Sequence, residues 1–88
     1  MTQLPDTLRK NGFDYVLVHR EGNRAIYRQQ VDEELQYFEV MRIKIKPASI
    51  FKGVSYPERE VFPSDEEFGT SAFSCRTLES AMIHFNQL

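Results

Sequence analysis

With 88 residues the chain has room for one core, so residues 1–88 are read as a single domain that withdraws roughly 60 to 65% of the unfolded chain's surface from water. A hydrophobic content of 41% beside 27% charged residues excludes the disordered class, and a formal charge of −2 excludes a bulk positive field drawing the whole molecule to nucleic acid. The lone Cys75 excludes an intrachain disulfide and a thiolate zinc set, and no apolar run approaches the length of a membrane span.

The opening Met1 to Pro5 has neither a basic nor an apolar leader region, which makes the cytoplasm the expected compartment. Pro5 to Lys10 is predicted as a short helix. Pro5 suits a first turn, Asp6 complements the positive end of the dipole, Arg9 and Lys10 the negative end, and Asn11-Gly12 supplies a left-handed stop. Phe13 to His19 alternates as a strand, with Phe13, Tyr15 and Leu17 on one face and Val16 and Val18 on the other, so cover on both faces is expected. A polar connector at Arg20-Glu21-Gly22-Asn23 joins it to Arg24 to Gln30, and the two strands pair as a hairpin.

Asp32-Glu33-Glu34 forms the next turn. The long strand Gln36 to Lys46 follows, and its alternation changes phase: Phe38 and Val40 share one parity, Met41, Ile43 and Ile45 the other. Either a bulge near Val40 and Met41 or burial on both faces resolves the conflict. Pro47 to Ser55 is read as an excursion away from the sheet. Tyr56 to Phe62 is expected to return as an edge strand, where Pro57 is tolerated and Glu58, Arg59 and Glu60 discourage pairing with other molecules. Pro63 to Gly69 reads as a turn, with Ser64 and Glu67 at capping-box spacing.

The last quarter organises the rest. A short apolar strand, Ala72 to Cys75, precedes a helix with Thr77 as its N-cap and Glu79 in its first turn. Leu78, Ala81, Met82, Phe85 and Leu88 fall on one stripe of that helix. The predicted class is α+β: an antiparallel sheet of about four strands, a C-terminal amphipathic helix on one face and a short N-terminal helix.

Chemistry is sparse. Cys75 shares a strand face with Phe73, two residues away, and reads as a structural thiol; His19 and His84 lack the cysteines or paired carboxylates that would make a metal or nucleophile set. No catalytic constellation, cofactor motif or phosphate loop is present, so a non-enzyme without a cofactor is expected. The acidic groups Asp32, Glu33, Glu34 and Asp65, Glu66, Glu67 are candidate protein-binding elements able to steer a basic partner, set against the plain reading of solvated turns. Arg42, Lys44 and Lys46, at every second residue, form a candidate nucleic-acid stripe with Lys52, joined by Arg24 and Arg28 from the neighbouring strand, again against the plain reading of a solvated face.

The run Phe62 to Ala81, with its Pro63-Ser64, Phe68-Gly69, Ala72 and Thr77-Leu78-Glu79, followed by Phe85 and Leu88, resembles the C-terminal signature of small proteins carried by phages and mobile elements. Asn11 to Tyr15 and Arg24 to Gln29 are similar to the first hairpin of the same group. That resemblance implies no particular chemistry. The strand, strand, strand, helix order is similar to that of the WGR domain, which binds DNA ends, although this chain contains no Trp. The first functional expectation is a small intracellular binding protein that modulates a host or defence protein by direct contact, with its oligomeric state open. The alternative is a nucleic-acid-binding module using the basic strand face.

Overall fold

The computed structural model describes residues 3–63 and 72–88. Among them are nine strands and one helix: β1 (Thr7–Lys10), β2 (Phe13–Glu21), β3 (Arg24–Gln30), β4 (Gln36–Arg42), β5 (Lys44–Lys46), β6 (Ser49–Phe51), β7 (Val54–Tyr56), β8 (Arg59–Val61), β9 (Ala72–Cys75) and α1 (Leu78–Gln87). Five strands form an antiparallel sheet in the order β1-β2-β3-β4-β9, and α1 packs on β3, β4 and β9. The α+β class expected from the sequence is what the structure has.

The N-terminal helix is not there. Thr7–Lys10 is a strand whose Lys10 pairs with Phe13 across the two-residue loop Asn11-Gly12, where φ is 55° and 83°. Two successive positive φ values are the backbone of a tight hairpin turn, and Asn-Gly is the dipeptide best suited to it. The pair therefore joins two strands and does not end a helix. A second two-residue loop, Gly22-Asn23, joins β2 to β3 with Glu21 opposite Arg24.

The phase change in the long strand is resolved by burial on both faces, with no bulge near Val40 and Met41. β3 and β4 pair in unbroken register from Arg24 opposite Arg42 to Gln30 opposite Gln36. Ile26, Phe38, Val40 and Cys75 face α1 and meet Ala81 and Phe85, while Tyr15, Ala25, Tyr27, Met41, Ile43 and Ala72 form a second cluster on the opposite face with Leu4, Leu8, Phe13, Leu17 and Phe62 against it. The irregularity lies instead in β2, between Leu17 and His19. It leaves Val18 as the extra residue and turns His19 to the helix side, where its ring sits 5.0 Å from that of Phe85. Val16 and Val18 stay 36% and 38% exposed, since α1 packs chiefly on β3, β4 and β9.

Thr77 caps the helix as expected, its hydroxyl accepting a hydrogen bond from the Ser80 amide at 3.1 Å. Ala81 and Phe85 are fully buried and Met82 and Leu88 are partly so, but Leu78 is 42% exposed, so the covered stripe begins at Ala81. At the other end, the Arg24 guanidinium stacks 4.5 Å over the Phe85 ring and donates to the Phe85 carbonyl, answering the negative end of the dipole. The capping-box turn at Ser64 and Glu67 lies outside the described residues.

The long strand ends earlier than its alternation suggests. β4 stops at Arg42, Ile43 donates its amide to Asn23, and the chain leaves the sheet as one long arm. β5 pairs with β8 at the arm's base and β6 with β7 at its tip. Pro47 and Pro57 fall in the gap between the two ladders, one on each strand, where the missing N–H groups break the pairing. The tip closes on Lys52-Gly53, with φ of 51° and 78°, a third two-residue hairpin loop. Tyr56 to Phe62 is therefore not an edge strand of the main sheet: its first residue ends β7, and Arg59–Val61 pairs with β5.

Candidate interaction surfaces

The arm carries most of the exposed apolar surface of the described residues. Ile50 is 76% exposed and Phe51 63%, and Ile45, Val54 and Tyr56 are open as well, so among the described residues no layer packs on the two strands at the tip. Its ionic character is basic: Lys44, Lys46, Lys52 and Arg59 are set against Glu58 and Glu60, and Glu60 is already paired. Cations and rings alternate along it. The Lys52 ammonium lies 5.4 Å from the Phe51 ring centroid and the Arg59 guanidinium 5.9 Å from that of Tyr56. A cleft of about 430 Å³ at the Pro47 break is lined by Lys46, Phe51, Tyr56 and Arg59.

At the base the arm is tied to the body by a forked ion pair. Arg20 donates from Nη1 to Glu60 Oε1 at 2.8 Å and from Nη2 to Oε2 at 2.6 Å, and the Leu4 amide adds a third bond to Oε1 at 3.0 Å. The bond to Arg20 holds the Glu60 carboxyl below its ordinary pKa, partly opposed by desolvation, and the same bond raises Arg20.

Of the candidate nucleic-acid residues, the structure brings Lys44 and Lys46 together on one face of β5, with Arg59 directly opposite Lys46. Arg42 ends β4 in the main sheet, opposite Arg24, and Lys52 sits on the distant tip loop. The four do not make one continuous stripe, because the strand that would have carried it breaks at Ile43. Arg24 is committed to Phe85, and the Arg28 Nε is buried. Phe38, a possible stacking ring, is 7% exposed beneath α1. Sequence reading missed Arg59, Phe51 and Tyr56, although two-residue hairpin signals flanking an apolar-basic stretch would have found them.

The acidic turn lies at the other end of the sheet. Asp32, Glu33 and Glu34 are exposed on the β3–β4 connection, and Asp32 Oδ1 accepts the Glu34 and Leu35 amides at 2.8 Å each, which makes it a turn-forming group. The arm departs from the opposite end of β4, about 20 Å away at the rise of a seven-residue strand. Asp65, Glu66 and Glu67 lie outside the described residues.

Cys75 is a free thiol buried in the helix-facing cluster. His84 stacks on Phe73 at 4.5 Å, and His19 bonds Glu21. Among the described residues no group of three or more His, Cys, Asp or Glu side chains could hold a metal ion, and no helix is long and apolar enough to cross a membrane.

On the sheet face away from α1, Glu39 is a buried carboxyl, 5% exposed. The Ser74 hydroxyl on the adjacent strand donates to its Oε2 at 2.6 Å. Burial pushes the Glu39 carboxyl above its ordinary pKa, with the Ser74 bond and the field of Lys10 pulling the other way. Comparison with protein-family models, curated proteins and solved structures finds no match to this chain.

Proposed function

We propose that the protein is a non-enzymatic binding module that engages an acidic protein partner through the β5–β8 arm. The observation that carries this reading is the arm tip. A two-stranded hairpin is marginal in water by itself, and this one leaves Ile50, Phe51 and Val54 open to solvent. A partner laid along it would bury those side chains and complete the ladder at either edge. Lys44, Lys46, Lys52 and Arg59 select an acidic surface and steer its approach. Modulation of a host or defence protein by such contact fits the resemblance to small proteins of mobile elements.

Photo-crosslinking tests the reading in the native host's extract, with a benzoyl-phenylalanine at Phe51 and, as control, at the exposed Ile83 on the outer face of α1. The expected result is one discrete protein adduct from position 51 that the variant Ile50→Ser with Val54→Ser loses. Equal adducts from both positions would remove the arm as the contact.

The second reading, nucleic-acid binding, is favoured by the rings interleaved with cations at the tip, a pattern that suits stacking beside a phosphate backbone. It requires mobility shifts at low salt that fall steeply as salt rises and weaken about equally on all sequences with Lys44→Ala. No shift at low salt would end it.

A further inference from the structure

The arm carries a recess at the point where its two ladders part. Pro47 and Pro57 interrupt the pairing there, and the cleft of about 430 Å³ beside Pro47 is also lined by Lys46, Ser49, Phe51, Tyr56 and Arg59. We propose that this cleft receives a phosphotyrosine side chain of the partner, with its phosphate between Lys46 and Arg59 and its ring against Phe51 and Tyr56. The proposal rests on the reading of the arm as the contact for an acidic protein, and it names the group that the arm holds.

The cations argue for a phosphate. Lys46 and Arg59 stand directly opposite each other in the β5–β8 pair, where like charges repel and weaken the ladder unless an anion lies between them. Neither makes an ion pair among the described residues. Glu60 lies opposite Ile45, on the other face of that ladder, and is held by Arg20 and the Leu4 amide. Glu58 is exposed beside Arg59, outside the residues that line the cleft. A phosphate monoester carries close to two negative charges at neutral pH, so it matches two cations, one of them a guanidinium able to donate two parallel N–H bonds.

The rings decide what carries that phosphate. Ser49 and Tyr56 are opposite each other in the β6–β7 pair and Phe51 follows Ser49 by two residues, so all three share a face, and all three are exposed. The cations near the two rings lie 5.4 and 5.9 Å from the centroids, close to the outer limit of such contacts, and they would attract the phosphate as well. A phosphate on an aliphatic side chain would leave both rings in water. An unmodified tyrosine would cover the rings and leave the two cations opposed. A ring with a phosphate at its far end answers both, and the cleft has room for it.

Phenyl phosphate is the first probe, titrated into the isotope-labelled full chain and followed by amide NMR shifts. Saturable shifts are expected at Lys46, Ser49, Phe51, Tyr56 and Arg59, with a Kd of about 1 to 5 mM, and inorganic phosphate and phenol should each bind about fivefold more weakly or worse. Arg59→Gln and Lys46→Gln should each weaken phenyl phosphate about threefold or more. Lys46 is exposed, so its variant stands in should the Arg59 variant fail to fold. Absence of saturable shifts, equal binding of inorganic phosphate or of phenol, or unchanged affinity in a folded variant would overturn the site. Tighter binding of adenosine monophosphate at the same residues would also overturn it, by giving the cleft to a nucleotide. The source of the phosphate is tested in the native host's extract, with a benzoyl-phenylalanine at Val54, which pairs with Phe51 and stands outside the cleft. The expected protein adduct should disappear when the extract is first treated with a tyrosine phosphatase. An adduct that survives the treatment overturns phosphotyrosine and leaves the acidic-partner reading standing, whereas no adduct from untreated extract removes both.

Discussion

The five-stranded sheet and the arm are built from the same kind of sequence, short β-rich runs joined by two-residue hairpin loops, and they end in opposite states. In the sheet Ala25, Ile26, Tyr27, Val40 and Met41 are closed from solvent because α1 covers one face and Leu4, Leu8 and Phe62 help cover the other. In the arm Ile45, Ile50, Phe51 and Val54 have comparable hydrophobicity and, among the described residues, no layer above them. The difference lies in layers. A strand pair becomes stable when a third layer takes its apolar side chains out of water. The sheet finds that layer within the chain, and on the proposed reading the arm finds it in a partner.

The comparison is broken most severely by removing the layer. Phe85 is fully buried between the sheet and the Arg24 guanidinium, so Phe85→Ala should cost about 3 to 5 kcal/mol in denaturant melts. A loss under about 1 kcal/mol would mean that α1 is not the cover of that face.

The joint between the two regions should show the next largest effect, with a distinctive pH dependence. The Glu60 pKa is lowered in the folded protein by Arg20. Its contribution is therefore fully present above the unfolded carboxyl value, about 4.3, and is lost as pH falls through the lower folded value. The Glu60 side chain is 9% exposed and that of Arg20 23%, so Glu60→Gln should destabilise by about 1 to 2 kcal/mol at pH 7. The gap to wild type should close in acid. Glu39 has the opposite sign: its folded pKa is raised by burial, so its ionisation weakens the fold as pH rises through that value. Glu39→Gln should leave stability at pH 7 equal to or slightly above wild type. If both variants lose stability equally at pH 7, the two carboxyls do not differ as their surroundings require.

At the arm tip Phe51→Ser should change stability by less than about 0.5 kcal/mol, because no packing is lost, while partner capture disappears. A large loss of stability with Phe51→Ser would show that the tip is covered within the chain itself.

Periodicity carried the sheet and the helix legibly. The stripe of α1 from Ala81 onward and the β2–β3 hairpin follow from side chains alternating at periods of 3.6 and 2, which local spacing records, whereas the alternation of β4 leaves a bulge and two-sided burial equally open. Two things were not local. Asn11-Gly12 serves equally well as a helix stop or a hairpin loop, and the choice falls to the hairpin because Leu8 and its partner Tyr15 pack with Tyr27, Met41, Ile43 and Ala72, which lie far along the chain. The exit of the chain at Ile43 depends on a bond to Asn23, and alternation through Lys46 gives no sign of it. The basic stripe was thus read along a strand that divides. Glu39 shows the same limit: a charged residue amid an apolar run looks like the solvated face, and only the strand opposite, with Ser74, shows it buried.

The smallest expected effect sharpens the comparison at the end of the sheet away from the arm. Asp32 is held in the turn by the Glu34 and Leu35 amides, whereas Glu33 and Glu34 stand exposed beside it. Glu33→Lys with Glu34→Lys removes no packing and should leave stability within about 0.5 kcal/mol of wild type. The turn lies about 20 Å from the base of the arm, two Debye lengths or more at physiological salt. A partner that binds the basic arm is acidic, so the turn repels it, and reversal should leave the association rate unchanged at about 0.15 M salt and raise it modestly at about 0.01 M, where the field reaches about 30 Å. Stopped-flow association across that salt range decides the matter. A slower rate for the reversed turn at low salt would give recognition to Glu33 and Glu34 and a basic character to the partner, and the arm would then be covered by something other than an acidic surface.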